Sequence, residues 1–205
     1  RSTNYCFTCF YLRPQIMRNL LLFLATLLAL GQVQAAKPHA LFVVGTHHYS
    51  PHETMPALAS QLDALGWKTS VLNPGYNPEK NSKGIAGLEL LQEADVAIFY
   101  TRFLTLPPDQ FRLIRLYLEA GKPVVGFRTS THAFDYPKDN SLTKWNNGFG
   151  SDALGSQYFA HLQGDTSVTL AKGAGDHPIL TGINLAEPIA AAGTLYLTDL
   201  AQGAQ

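Results

Sequence analysis

Apolar residues along this chain fall into two alternating rhythms. Short runs almost free of charge occupy residues 39–45, 67–72, 96–100 and 123–127. Between them, Leu58, Leu62 and Leu65 recur at helical spacing, as do Phe111, Ile114 and Leu118 with Leu113 and Tyr117. The runs have the length and β-branched content of buried strands, and the spaced residues each mark one face of a helix. Ser50 before Pro51, with Glu53 three residues after Ser50, predicts a capping box at the first helix, which stops at Gly66. Pro107, Pro108 and Asp109 open the second helix, which closes at Gly121, and a shorter helical pattern covers residues 87–93. Strands that alternate with helices predict a flavodoxin-like three-layer α/β sandwich around a mostly parallel sheet with right-handed crossovers.

The run at 123–127 is read as a strand buried on both faces, and it breaks into the polar corner Arg128-Thr129-Ser130-Thr131-His132. Thr129, Ser130 or Thr131 is placed to cap a following helix. In an open α/β sheet, ligands bind beyond the carboxyl ends of the strands, so this corner is the first candidate site. Past it, residues 135–155 read as a long functional loop with short helices, and residues 166–170 and 193–198 as later strands.

The corner carries a resemblance. In class I glutamine amidotransferases the strand ends in Gly, an apolar residue and a nucleophilic Cys on a tight turn. Gly126-Phe127-Arg128 resembles that pattern with Arg128 in the nucleophile's place, which excludes thiolate chemistry and a glutaminase. Together with the segment from Gly148 to His161 and with Asp176-His177-Pro178-Ile179-Leu180, the corner resembles the ThuA-like (trehalose utilisation) family over residues 37–200. The resemblance implies the amidotransferase-like fold without its Cys. It also implies a role in carbohydrate utilisation, on a trehalose-type disaccharide or its oxidised keto form.

Charge and targeting signals narrow the setting. Met17-Arg18-Asn19, an apolar stretch at residues 20–30 and Val33-Gln34-Ala35 have the three parts of a secretory signal, with cleavage after Ala35 or Ala36. A stretch of eleven residues falls short of the ~20 that span a membrane, so a periplasmic or secreted protein with no stable membrane insertion after cleavage is expected. Residues 1–16 lie upstream of that signal and are read as a start assigned too early in preference to a real extension; they hold the two cysteines, Cys6 and Cys9, whose spacing resembles half of a zinc site. Residues 37–205 form the domain, read as truncated at its C-terminus. Arg1, Arg13 and Arg18 precede it, so of the chain's 15 Lys plus Arg, 12 remain against 15 Asp plus Glu, a net charge of −3. No basic stripe stands out, which argues against nucleic acid and for a small, weakly charged carbohydrate.

The candidate chemistry lies on three strand ends. His47, His48 and His52 crowd the loop after the first strand, with His132 at the corner and His161 farther on. These are the candidates for acid/base catalysis (His132, His161, His47) and for a divalent metal (His47, His48, His52), since imidazole is the commonest metal ligand. Arg128, Ser130, His48, Tyr100 and Arg102 are the candidate substrate-binding residues. Arg128 has two open readings, a fork onto ligand or an internal salt bridge to an Asp. Ser130 is a helix cap in preference to a hydrolase nucleophile, because it lies two residues past the turn. His177 before Pro178 reads as structural.

Overall fold

Residues 36–184, 186–191 and 193–200 are described by a computed structural model. The expected signal, Cys6 and Cys9 lie outside the described residues. No helix among the described residues is long and apolar enough to cross a membrane.

Four strands form one sheet in the order β2, β1, β3, β4, all parallel. They are β1 (His39–Gly45), β2 (Lys68–Leu72), β3 (Val96–Thr101) and β4 (Val124–Gly126). Helix α1 (Pro51–Ala64) follows β1, a 3-10 turn (Leu88–Gln92) precedes β3, and α2 (Pro108–Glu119) links β3 to β4. This is an α/β fold consistent with a flavodoxin-like sandwich.

Side chains of a strand alternate between faces, so β1 and β3 build two cores at once. Leu41, Val43, Ala97 and Phe99 face Phe111, Ile114 and Tyr117 of α2, with Leu88 and Leu91 of the 3-10 turn. Ala40, Phe42, Val44, Ile98 and Tyr100 face Met55 and Ala59 of α1. Phe42, Phe99, Phe111 and Phe149 are fully buried, each contributing roughly 2–3 kcal/mol on burial.

Two expectations are corrected. β4 is an edge strand: it pairs only with β3 among the described strands, and Val125 is 44% exposed. The capping box at α1 does not form. Ser50 sits at φ 54 with no side-chain cap bond, and its carbonyl instead accepts from the Glu53 and Thr54 amides. Pro51 does begin the helix, and Gly66, at φ 93, follows its end.

Beyond the corner the chain makes α3 (Trp145–Gly148) and a π-helical turn (Phe149–Ala153), the short helices expected in the 135–155 loop. Two antiparallel pairs follow. β5 (Ser156–His161) pairs with β8 (Tyr196–Leu200), and β6 (Thr166–Val168) pairs with β7 (Ile189–Ala191). β5 and β7 were not expected as strands. His177 is structural as expected: its Nδ1 accepts from the Ile179 amide at 3.3 Å, capping the turn Pro178–Leu180.

Gly150 fixes how the π-helical turn seats on the corner. A Cβ there would collide with the Thr131 carbonyl and lie 2.8 Å from that of Ser156. Only glycine lets the three backbones approach this closely.

Candidate functional site

The corner after β4 is a five-residue 3-10 turn, Arg128–His132, entered through Phe127 in extended conformation. The turn has no side-chain cap, so none of Thr129, Ser130 and Thr131 plays that expected part. It is also too short for the aligned amides that give a helix N-terminus its anion affinity. Its defining feature is backbone strain, since Arg128 adopts φ 41, a left-handed conformation that costs a non-glycine residue about 1–2 kcal/mol. That is the tight turn which the Gly126-Phe127-Arg128 pattern implied.

Ser130 holds the corner to β3. It is fully buried, its hydroxyl donates to the Phe99 carbonyl at 2.8 Å, and its oxygen accepts from the Thr101 amide at 3.1 Å. A hydroxyl so engaged has no surface to offer a ligand. Past β3 the chain stays in register with the corner, with Phe103 N donating to His132 O, Leu104 N to Ala133 O and Asp135 N to Leu104 O. This ladder sets Arg102, Arg128 and His132 at the same end of the sheet.

The Arg128 guanidinium lies 4.2 Å from the centre of the Tyr49 ring and 5.2 Å from that of Tyr196. Tyr49 comes from the loop after β1 and Tyr196 from β8. No ion pair to Arg128 is present among the described side chains. Burial works against its charge, but the Tyr49 hydroxyl and the negative ends of Tyr49, Tyr196 and Tyr100 outweigh it and raise the pKa. Burial likewise pushes up the Tyr49 phenol, yet donation from Arg128 and Tyr196 and the Arg128 charge reverse the sign and lower it. Tyr196, desolvated and beside Tyr49, rises to about 12.

His132 sits behind this clasp, 9% exposed, with its ring centre 4.5 Å from Tyr158, 5.2 Å from Phe103 and 5.9 Å from Tyr196. Burial, then the charges of Arg102 and His48, lower its pKa to about 4, so at neutral pH it is uncharged. His161 is exposed, and its Nδ1 lies 2.8 Å from the Tyr158 hydroxyl. The Tyr158 and Tyr196 rings meet edge to face at 5.0 Å and join the two histidines.

Arg102 is committed elsewhere. Its Nη1 donates to Glu79 Oε1 at 2.6 Å, and Thr46 donates to Glu79 Oε2 at 2.8 Å. The guanidinium also lies 4.4 Å over Phe103. His48 is exposed near both arginines; burial and then the Arg102 charge lower its pKa. Tyr100 is 6% exposed and stacks on Phe127 in the core, which places it under the crevice floor.

His47 turns away from this group and stacks on His52, ring centres 3.9 Å apart and planes 26° apart. Burial and then the His52 charge lower the His47 pKa. His47 Nε2 and His52 Nδ1 are buried without hydrogen-bond partners. Nearly parallel rings aim their in-plane lone pairs side by side and do not converge on one ion. Among the described residues no three His, Cys, Asp or Glu side chains form a metal-binding group.

The structure thus brings Arg128, Arg102, His48, His132 and His161 to one end of the sheet and sets His47, His52, Ser130 and Tyr100 apart. Sequence reasoning missed Tyr49, Tyr158, Tyr196 and Glu79. Tyr49 had a usable signal, since it directly follows His48 in the loop at a strand end. Tyr196 reads locally as one more apolar strand position. Comparison with protein-family models, curated proteins and solved structures returned no match.

Proposed function

We propose that this chain is an exported, ThuA-like carbohydrate-handling protein whose crevice binds a trehalose-type disaccharide or its oxidised keto form. The observation that supports this reading is Arg128, held at φ 41 between the rings of Tyr49 and Tyr196 at the end of the sheet. Aromatic faces suit the C–H face of a pyranose, and a planar guanidinium forks onto neighbouring oxygens. Strain retained at a strand end is a mark of a working site, because the surrounding structure has to maintain it.

Acid/base chemistry in this crevice rests on His161. With its proton on Nδ1, the ring donates to the Tyr158 oxygen and leaves Nε2 free to take a proton from a sugar hydroxyl. His132, uncharged and enclosed by aromatic rings, positions Tyr158 and Tyr196. A second reading, a sugar-binding domain without catalysis, is favoured by the low pKa of His132, which makes it a weak base at neutral pH.

Calorimetric titration with trehalose and its keto derivative, with turnover measured in parallel, tests both readings. For an enzyme, His161→Asn retains sugar binding and loses at least a hundredfold in kcat, in line with the usual worth of a general base. Binding without conversion of either sugar in the wild type selects the binding domain. No binding of either sugar overturns the proposal.

A further inference from the structure

Two arginines stand at the crevice, and among the described side chains only Arg102 has a carboxylate partner. Glu79 takes Arg102 at 2.6 Å, whereas no carboxylate among the described side chains lies at ion-pair distance from Arg128. Beside Arg128 opens a groove of ≈ 370 Å³, lined on one side by Arg128, Tyr196 and the hydroxyl-bearing Thr131, Thr166 and Thr194, and elsewhere by the apolar Val168, Ala191 and Leu195. No acidic side chain among the described ones lines it. A volume near the lower end of ordinary ligand sites suits a single sugar ring.

The guanidinium lies over both tyrosine rings and gives one of its five N–H donors to the Tyr49 hydroxyl, and no other side-chain acceptor for it is present among the described side chains. Ring stacking uses the π face of an arginine, while its N–H donors lie in the plane and match the two oxygens of a carboxylate. Neutral hydroxyls satisfy those donors less well, because a charge-assisted bond is about twice as strong as a neutral one.

We propose that the Arg128 groove selects a sugar bearing a carboxylate, a uronate-type pyranose, over its neutral counterpart. The carboxylate takes the Arg128 donors that Tyr49 leaves, Thr194 meets a ring hydroxyl, and the oxygens of Thr131 and Thr166, whose protons go to the Arg128 and Ala191 carbonyls, accept from others. This rests on the crevice being a sugar site, and it goes further by assigning the ligand's charge.

The test titrates the full chain with glucuronate, glucose, trehalose and acetate at low salt, using the wild type, Arg128→Gln and Arg128→Lys. Glucuronate should bind at least tenfold tighter than glucose, with the preference shrinking as salt is raised. Arg128→Gln should bring the two sugars to equal affinity, and Arg128→Lys, which keeps the charge without the fork, should retain part of the difference. Thermal melts identify any variant that fails to fold, in which case the wild-type comparison and its salt dependence decide. Equal affinity for glucuronate and glucose in the wild type, or a preference that survives Arg128→Gln, overturns the inference. If trehalose binds while no acid preference exists, the sugar reading stands and this one falls. If no sugar binds, both fall. Acetate binding as tightly as glucuronate reduces the groove to a bare anion site and overturns the sugar part of both.

Discussion

The guanidinium of Arg128 lies 4.2 Å over the ring of Tyr49, and both residues hold left-handed backbones, at φ 41 and φ 65. Two strained residues from different strand ends thus face each other across the crevice. The strain makes a measurable prediction at Arg128. At ordinary positions alanine is more stabilising than glycine by roughly 0.5–1 kcal/mol, because glycine loses more freedom on folding. At a left-handed position the order reverses, so Arg128→Gly should melt above Arg128→Ala, by about 1 kcal/mol. Neither variant should cost the several kcal/mol that stranding a buried ionic partner would, since no such partner is present among the described side chains. Chemical denaturation of the two variants beside the wild type measures the order.

Ser130 should prove to be architecture. Ser130→Ala removes the acceptor of the Thr101 amide and one donor to the Phe99 carbonyl, which still receives the Phe127 amide at 2.8 Å. One stranded amide in a dry site costs about 1–3 kcal/mol. The melting temperature of Ser130→Ala should fall accordingly, with sugar affinity unchanged. Weakened binding at unchanged stability would return Ser130 to the ligand surface.

Local pattern disclosed the strands and helices but neither their neighbours nor the edge of the sheet. The run from Pro123 to Phe127 carries no charge, and it reads the same in the middle of a sheet or at its border. Its edge position follows from the order β2, β1, β3, β4, which is a long-range property. Ser50 has the residue type of a cap, yet its φ of 54 turns the side chain out of reach of the helix amides. The histidine-rich loop made a shared site look plausible, but the 3.9 Å stacking of His47 on His52 splits the group. The tight turn at Arg128 was legible through the resemblance of Gly126-Phe127-Arg128 to the amidotransferase corner. Tyr196 was not, because an aromatic residue in a strand ordinarily signals core and nothing local ties it to a corner far away in the chain.

Gly150 tests whether the corner and the π-helical turn form one unit. A methyl group at this position has no space, being blocked by the carbonyls of Thr131 and Ser156 and by the Gln157 Cα at 3.2 Å. All three obstacles are backbone, so relief requires moving either the corner or β5. Gly150→Ala should destabilise the domain by about 1–3 kcal/mol, the usual penalty of overpacking. Because the displaced Thr131 neighbours His132 and Arg128 in the same turn, sugar affinity should fall with it. A melt within a degree of wild type would show that the two elements are not rigidly coupled.

The last prediction concerns pH. His132 has its pKa lowered from 6.5 to about 4, chiefly by burial and then by the charges of Arg102 and His48. In the unfolded chain it takes up a proton near pH 6.5, whereas in the folded domain it stays neutral until about pH 4. Between those values the unfolded state binds more protons, so stability rises with pH there. The contribution is fully present above pH 6.5 and is lost as pH falls towards 4. A shift of this size corresponds to on the order of 3 kcal/mol. The groups facing His132 are the Arg102 and His48 charges and the rings of Phe103, Tyr158 and Tyr196. No carboxylate among them rescues its protonated form. His132→Phe keeps an aromatic ring in the same enclosure and removes the titration. Denaturant unfolding at pH 7 and pH 4 should show the wild type losing more stability than His132→Phe, by that same order. His39, His47 and His48 also have lowered pKa values, so part of the acid loss must remain in the variant. Equal losses in the two proteins would place His132 in contact with solvent and remove its assignment as a buried, neutral support for the tyrosines.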